Sequence, residues 1–303
     1  MNRKVSKTIQ LGIIGFSEGN GHPYSWAAIC NGYDSLMMSQ CPFPVILEYL
    51  AKQSFPEDAI SYAKVTHIWT QDKNLSRHIA QSSNIPHIVE HYEDMIGVVD
   101  AVLLARDDPE SHLPMSLPFI NAGVPIYIDK PIATDIKTLE SILEHEKYPG
   151  QIFSCSALRY AKEFNLTEIE LNELGTIEYI EASINKSWEK YGVHIIEPVL
   201  NLFDLSSEKA KIAAIKQNDI QSVFAHWPDL LIKFSTLGRL PTPIVIRLYG
   251  TKGFKEIQFE NTFAAFKMAI EMFIEGFISK KYMITHNQMK NIVTLIEKGN
   301  SCI

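Results

Sequence analysis

The amino-acid sequence predicts an α/β protein in which an N-terminal Rossmann dinucleotide-binding domain precedes an α+β domain with a mostly antiparallel open sheet. Two observations lead to this prediction. Up to residue 157, short β-branched runs alternate with helix-like stretches, which implies right-handed crossovers and a parallel sheet. Beyond that point, strand-like runs follow one another through turns. We therefore expect domains at 1–157 and 158–303.

The elements of the first domain follow from the spacing of apolar residues. Strands are expected at 9–16, 64–70, 100–105 and 124–129, and helices at 24–31, 75–80 and 113–122. Segment 34–63 is longer than a helix-to-strand connection needs, and its centre, 45–52, is helix-like between prolines. We interpret it as an insertion, which is either a cap near the site, an oligomer contact or a surface excursion without a catalytic role.

The second domain is expected to contain strands at 176–188, 209–215, 230–235 and 244–248. The stretch from Gly250 to Gly253 predicts a tight turn between strands. A helical stretch is expected over 263–298, and its apolar stripe is typical of a core-facing helix.

Composition excludes several classes of function. A net charge of -7 and a pI of about 5.8 would repel a phosphate backbone, so nucleic acid is not an expected partner. No apolar run approaches the ~20 residues that cross a bilayer, and the stretch Met1 to Lys7 runs directly into a strand. We expect a soluble cytoplasmic protein without a signal peptide. Its scattered cysteines predict reduced thiols and no structural metal; they are Cys30, Cys41, Cys155 and Cys302.

A glycine-rich loop follows the first predicted strand. Strand, loop and helix together would direct backbone N–H groups at a pyrophosphate. The spacing departs from G-x-G-x-x-G, because Ser17 and Asn20 occupy the second and third glycine positions, and a plain surface turn is the alternative. The candidate cofactor contacts in this loop are Gly15, Ser17, Glu18, Gly19, Asn20 and Gly21.

The second strand ends where an acid normally binds the ribose of NAD. Thr70 occupies that position, and Asp72 follows two residues later, either as a cofactor contact or as the cap of the next helix. No arginine follows, and Asp72 would repel a 2'-phosphate. NAD is therefore favoured over NADP.

The segment 100–131 is the most specific one. It contains Ala105 and Arg106 at the end of a strand, and then Asp129, Lys130 and Pro131 at the end of the next strand. A lysine at the carboxyl end of a parallel strand faces the ligand crevice, although a surface lysine is the alternative. The segment resembles the Glu-Lys-Pro signature of the Gfo/Idh/MocA (glucose-fructose oxidoreductase/inositol dehydrogenase) family. That resemblance implies that Lys130 lies near the nicotinamide and the substrate hydroxyl, that Ala105, Arg106 and Asp129 contact the cofactor, and that the Lys130–Pro131 bond is cis.

A second motif agrees with the first. Residues 190–197 are similar to the family's D-x-G-x-H-x-x-D element: His194 matches, Glu197 replaces an aspartate, and Lys190 reverses the charge of the first acid. The resemblance implies that His194 is catalytic and that Lys190 and Glu197 contact substrate; a structural histidine is the alternative. Arg159, at the end of an expected strand, is a further candidate for substrate binding.

These residues predict hydride exchange between a hydroxyl-bearing carbon and a nicotinamide, with His194 as general base and Lys130 stabilising the alkoxide. The resemblance implies a sugar, cyclitol or sugar nucleotide as substrate, and Lys190 favours an acidic one. Two alternatives stay open. One is a cofactor-binding sensor or scaffold without turnover, and the other uses bound NAD transiently for elimination, epimerisation or hydrolysis. The resemblance also implies a homo-oligomer, either a dimer or a tetramer.

Overall fold

The computed structural model describes residues 7–301, so the N-terminal stretch up to Ser6 and Cys302 lie outside it. The strands of the first sheet are β1 (Ile9–Ile14), β2 (Ala63–Trp69), β3 (His87–Ile88), β4 (Ala101–Leu104), β5 (Ile126–Ile128) and β6 (Ile152–Phe153). The helices in this part are α1 (His22–Asn31), α2 (Ser35–Met38), α3 (Pro44–Leu50), α4 (Lys73–Ser82), α5 (His112–Ala122) and α6 (Ile136–Leu143).

The first sheet is parallel throughout, in the order β3-β2-β1-β4-β5-β6, which confirms the predicted Rossmann fold. Strands β1, β4 and β5 are almost entirely buried, as strands covered on both faces must be. Because β1 pairs with both β2 and β4, the strand order reverses at its carboxyl end, where the glycine-rich loop begins. The sequence missed β3 and β6, which have only two residues each.

The second sheet contains β7 (Ile177–Ile184), β8 (Lys211–Gln217), β9 (Ile220–Trp227), β10 (Leu230–Thr236), β11 (Val245–Gly250) and β12 (Phe254–Gln258). Its order is β12-β11-β7-β10-β9-β8. Only the β7–β10 pair is parallel in this sheet, so the described strands confirm a mostly antiparallel sheet. The predicted turn at Gly250 joins β11 to β12. The sequence did not predict β9, and it implied β12 after the turn without giving its bounds.

The remaining helices are α7 (Glu168–Leu174), α8 (Trp188–Tyr191), α9 (Val193–Phe203), α10 (Thr262–Ser279) and α11 (His286–Ser301). Residues of α9 and α11 pack on one face of the second sheet around Ile180, Phe234 and Ile296. Two sequence predictions were wrong: the strand predicted to reach Trp188 ends at Ile184, and Arg159 lies in a 3₁₀ turn rather than at a strand end. The helical stretch predicted over 263–298 is confirmed as two helices, α10 and α11. No helix in the described range is both long and apolar enough to span a membrane.

The chain forms two compact units. Over the described residues, the first comprises 7–129, 141–153 and 266–283, and the second comprises 130–140, 154–265 and 284–301. The single boundary at residue 157 expected from the sequence thus differs from this division, in which part of α10 belongs to the first unit. There Phe273 contacts the rings of Tyr127 and Phe153, both at centroid distances of 5.8 Å.

The insertion at 34–63 packs on the start of α1. A Cβ built on Gly21 would lie 2.5 Å from Ile46 Cδ1 and 2.9 Å from Phe43 Cδ2, and Tyr49 donates a hydrogen bond to Ser25. Of the alternatives weighed for this segment, a cap beside the glycine-rich loop agrees with these contacts. Burial raises the pKa of the Cys30 thiol, which lies in α1, to about 12.

Candidate active site

The glycine-rich loop after β1 has the backbone freedom that a phosphate-binding turn needs. Gly15 has φ +84°, and a Cβ there would lie 2.5 Å from the methylenes of Arg106, so only glycine fits. Gly19 has φ +80°, and no atom lies within 4 Å of a Cβ built on it. The loop is therefore closed at Gly15 and open at Gly19, where a ligand has room.

Buried groups hold this loop in place. Ser17 Oγ donates to Asp107 Oδ1 at 2.6 Å and accepts the Asp107 N–H at 3.0 Å. Asn20 Nδ2 donates to Asp129 Oδ2 at 2.8 Å, and His22 Nδ1 lies 2.5 Å from the same oxygen. Asp129 is fully buried. The side chains of Ser17, Asn20 and Asp129, expected to contact cofactor, thus have structural roles in fixing the loop.

The residues fit a dinucleotide phosphate at the loop rather than at the helix end. Asn20 Oδ1 accepts the His22 N–H at 3.0 Å, and Pro23 has no N–H, so the first turn of α1 offers few donors. In contrast, Glu18 and Gly19 are exposed, and their backbone N–H groups are donors of the kind that bind phosphate. The exposed Glu18 carboxylate opposes an anion here.

The end of β2 differs from a standard ribose site. Ser76 Oγ accepts the N–H of the buried Thr70, whose hydroxyl donates to the Asp72 carbonyl. Asp72 accepts the Asn74 N–H at 2.8 Å and so caps α4, the role that the sequence favoured. The expected cofactor contact of Thr70 is therefore not supported. Gln71, which the sequence did not single out, binds both the N–H and the carbonyl of Phe16 in the glycine-rich loop.

Ala105 and Arg106 follow β4 as expected. The Ala105 N–H donates to the Ile14 carbonyl at 2.9 Å, which places this residue beside the end of β1. Arg106 makes a bidentate pair with Asp108, at 2.8 Å from Nε and 2.5 Å from Nη2. Burial raises the pKa of Asp108, but the bonds from Arg106 outweigh it and hold that pKa below its usual value.

Lys130 lies in the second unit, and its peptide bond to Pro131 is cis, as the resemblance implied. The side chain is buried, with 4% of the residue exposed. Its Nζ lies 5.0 Å from the centroid of the Tyr191 ring, within cation–π range. The ring of His194 lies 5.5 Å from the same tyrosine ring. Lys130 and His194 thus share one aromatic neighbour, which the sequence did not identify.

Ser156 positions His194 and Glu197 together. Its Oγ lies 2.8 Å from His194 Nδ1, and its N–H donates to Glu197 Oε2 at 2.7 Å. The two partners are three residues apart in α9 and therefore lie on one helix face. Ser156 Oγ also accepts the Leu158 N–H at 3.2 Å. A hydroxyl oxygen can accept two hydrogen bonds, so Ser156 Oγ can also accept one from His194 Nδ1–H. In that tautomer the hydrogen of the ring is on Nδ1, and Nε2 can accept a proton.

Arg159 and Glu197 form a buried ion pair, with Nη1 and Oε1 3.4 Å apart. Burial raises the pKa of Glu197 to about 7, against the opposing effects of the Arg159 charge and the Ser156 N–H. Burial also raises the pKa of the neighbouring Tyr160. The sequence grouped Arg159 and Glu197 as substrate contacts; the contacts found join them to each other.

Lys190 lies at the end of α8, half-buried, one residue before Tyr191. Lys186, four residues before Lys190, contacts the tyrosine that Lys130 and His194 share. Its Nζ donates to Tyr191 Oη at 2.5 Å and lies 4.1 Å from the Tyr191 ring centroid. Sequence reasoning missed Ser156, Tyr191 and Lys186. Tyr191 and Lys186 could have been found only from their proximity to the His194 motif in the sequence. Nothing in the sequence pointed to Ser156.

Fold and site together define a two-unit α/β protein with a parallel sheet of the dinucleotide-binding type and a lysine–histidine pair in its second unit. Residues 45–156 match the model of the oxidoreductase family with an NAD-binding Rossmann fold, Gfo/Idh/MocA. This match includes the Lys130 signature and agrees with the family predicted from it. No curated protein sequence matches the chain.

Solved structures share the fold over nearly the whole chain. Myo-inositol 2-dehydrogenase from Lactobacillus plantarum is 12% identical with a TM-score of 0.71, covering 98% of this chain and 97% of that one. Apo scyllo-inositol dehydrogenase from Lactobacillus casei is 14% identical with a TM-score of 0.67, covering 97% and 96%. Biliverdin reductase from Synechocystis sp. PCC 6803, in complex with biliverdin and NADP+, is 9% identical with a TM-score of 0.66, covering 97% and 98%. The chain thus shares its fold with these structures over nearly its whole length.

Proposed function

We propose that the protein is an NAD(P)-dependent oxidoreductase acting on a hydroxyl group of a sugar, cyclitol or sugar nucleotide. The observation that carries this proposal is the contact of both Lys130 and His194 with Tyr191. An ammonium and an imidazole that share one aromatic neighbour are suited to act on a single substrate oxygen. The inositol dehydrogenases among the similar structures support a polyol substrate.

In the proposed reaction, His194 Nε2 accepts the hydroxyl proton as general base, in the tautomer that Ser156 permits. Lys130 stabilises the alkoxide that develops on the same oxygen, in a buried place where such an interaction is strong. The nicotinamide supplies the hydride acceptor. The N–H groups of Glu18 and Gly19 would hold its phosphates, and Lys190 stands as a proposed contact for an acidic substrate.

We further propose NAD as the cofactor. At the end of β2, Lys73 is a cation that could attract a 2'-phosphate, but it is paired with Glu90. Asp72, exposed at the same turn, would repel that group. A homo-oligomer stays a proposal that rests on the family resemblance, and a cytoplasmic location stays one that rests on composition and the scattered cysteines.

The test follows the absorbance of reduced nicotinamide with a panel of neutral and carboxylate-bearing sugars, cyclitols and sugar nucleotides. We expect turnover with at least one polyol, and losses of about 10²- to 10⁴-fold in kcat/KM for Lys130→Met and His194→Asn. The matched controls are Lys137→Met on α6 and His226→Asn on β9, both exposed. They should leave kcat/KM unchanged.

Other outcomes separate the alternatives. Dinucleotide binding without turnover, unchanged in Lys130→Met, would favour a sensor or scaffold and overturn the enzyme proposal. Product formation without net change in the cofactor, with reduced cofactor trapped during turnover, would indicate transient oxidation in an elimination, epimerisation or hydrolysis.

A further inference from the structure

A pocket of ≈ 620 Å³ opens in the second unit, where β7 and β10 end and β8 turns into β9. We name it the strand-end pocket. Three basic side chains border it, Lys186, Lys216 and Arg239, together with the acidic Glu189 and Asp219. Its volume is that of a small-molecule site, and basic side chains predominate on its border.

The loops that border the strand-end pocket are held in an unusual backbone conformation. Lys186 and Gly238 both have positive φ, +65° and +57°, and they bond each other through Lys186 N–H to Gly238 O at 2.6 Å and Gly238 N–H to Lys186 O at 3.1 Å. A non-glycine residue at positive φ costs about 1 kcal/mol or more and persists only where its surroundings fix it. Here the pairing brings the Lys186 loop beside the Arg239 loop.

Asp219 contributes to the same arrangement through its carboxylate. Its Oδ2 accepts the backbone N–H of Arg239 at 3.1 Å and would lie 2.4 Å from a Cβ on Gly238. One of the two pocket acids is thus used to hold the turn. The basic side chains of Lys216 and Arg239 are exposed to the pocket and to solvent.

Lys186 connects this pocket to the candidate active site. Lys186 borders the pocket, its ammonium donates to Tyr191 Oη, and Lys130 lies against the same tyrosine ring. A substrate whose reacting hydroxyl lies at Lys130 and His194 could therefore place its far end beside Lys186.

We propose that the strand-end pocket binds the anionic group of the substrate, a carboxylate or a phosphate, through Lys186, Lys216 and Arg239. This inference rests on the proposed function, and it names the substrate class as anionic polyols. It assigns charge recognition to residues of the β7, β8 and β10 ends, which the sequence did not single out. Neutral polyols lack the group that these cations attract.

The experiment compares the intact protein with the double variant Lys216→Gln/Arg239→Gln, whose exposed side chains can be changed without disturbing the core. The matched control is Lys211→Gln, an exposed lysine at the start of β8 that does not border the pocket. The probes are a hexuronic acid, a hexose phosphate and the corresponding neutral hexose, each measured by calorimetric binding with NAD present and by steady-state kinetics.

We expect the protein to bind one anionic probe more tightly than the neutral hexose, with the affinity falling as salt is added. In the double variant, Kd and KM for that probe should rise about tenfold or more, while kcat stays within about twofold, because charged hydrogen bonds are lost far from the reacting oxygen. Lys211→Gln should behave as the unmodified protein. Preference for the hexuronic acid or the hexose phosphate identifies the group as carboxylate or phosphate.

Equal affinity for neutral and anionic probes, or a double variant that binds them as the unmodified protein does, would overturn the pocket assignment. The proposed function would survive that result if polyol turnover still required Lys130 and His194. Conversely, binding of an anionic probe that depends on Lys216 and Arg239, without any turnover, would support the pocket and overturn the enzyme proposal.

Discussion

At the scale of single residues, Ser156 has the largest number of consequences for the site. Its hydroxyl orients His194 and its N–H binds Glu197, so one short side chain and its own backbone fix two functional groups. Because it lies 38 residues before His194, no local spacing pattern indicates the contact. We interpret Ser156 as a positioning residue.

Replacing Ser156 with alanine tests this role. The backbone N–H to Glu197 remains, but His194 Nδ1 loses the Ser156 hydroxyl, so we expect kcat/KM to fall about tenfold to a hundredfold. The pH profile should also change, since Nδ1 loses the oxygen that fixes its tautomer. Ser156→Thr should recover part of the activity. Ser183→Ala on β7 is the control, and an unchanged pH profile in Ser156→Ala would show that the serine only packs.

Glu197 predicts a pH dependence of stability. Its pKa is raised by burial to about 7, so the folded state holds this proton when the unfolded chain has lost it. The contribution of protonated Glu197 to the free energy of unfolding is complete below the pKa that Glu197 has in the unfolded chain. It is lost as pH rises through the folded-state pKa of about 7. Relative to Glu197→Gln, the protein should lose on the order of 3 kcal/mol of unfolding free energy between pH 4 and pH 8.

Urea unfolding across that pH range measures the difference. Exposed Glu173 on α7 provides the control as Glu173→Gln, whose curve should run parallel to that of the unmodified protein. Parallel curves for Glu197→Gln as well would mean that the Arg159 charge keeps Glu197 ionised in the fold, contrary to the prediction.

At the scale of elements, the insertion is structurally joined to the glycine-rich loop. Phe43 contacts the rings of Phe16 and Tyr24 at 6.3 and 6.5 Å, and its neighbour Ile46 lies against Gly21. Gly21 therefore serves close packing between the insertion and α1, since its φ of -87° is open to any residue.

Gly21→Ala should accordingly destabilise the protein by about 1–3 kcal/mol through overpacking. The nearest clash is with Ile46 Cδ1, which valine lacks, so the cost should shrink in the Ile46→Val background. A double-mutant cycle by urea unfolding measures this coupling. The same cycle with Gly123→Ala, whose Cβ would meet no atom within 4 Å, should be additive. If the effects of Gly21→Ala and Ile46→Val on the free energy of unfolding were additive, the predicted contact between these two residues would be refuted.

The sequence predicted those elements that form a clear apolar run bounded by turn residues. Parallel strands such as β1 and β4 are continuous apolar runs, and the Asp72 cap has a local signature. Two-residue strands such as β3 have no periodicity to detect. The helical stretch predicted over 263–298 is divided by a loop that the sequence analysis did not place. The loop begins at the polar residues Lys280 and Lys281, and Lys280 has φ +52°.

The site was predictable only where a motif is local. Lys130, His194 and the cis bond follow from short signatures in the sequence. The anchoring of Asn20 and His22 by Asp129 depends on contacts more than a hundred residues apart, which a single sequence does not reveal. The same holds for the strand-end pocket, which is assembled from the ends of separate strands.

At the scale of the whole molecule, the Rossmann unit depends on residues from late in the chain. Phe273 contacts Tyr127 and Phe153 and is fully buried, and Phe266 lies against His22 at 5.0 Å. The first unit is therefore completed only when residues 266–283 are present.

A fragment of residues 1–157 tests this dependence. Without residues 266–283 it should lack fixed tertiary structure, with weak near-ultraviolet circular dichroism despite helical far-ultraviolet signal. In the full chain, Phe273→Ala should cost about 3–5 kcal/mol of unfolding free energy, whereas Phe254→Ala, with an exposed ring on β12, should cost far less. A well-dispersed NMR spectrum from the fragment would contradict the prediction.

The junction between Asp129 and Lys130 has a consequence for recombination between related genes. The chain passes from one unit to the other at 129/130, 140/141, 153/154, 265/266 and 283/284, and the first of these points divides the Asp-Lys-Pro signature. A gene exchange with one breakpoint between residues 130 and 283 would therefore combine parts of different origin in both units. A laboratory hybrid that takes each whole unit from a different parent needs crossovers at all five junctions.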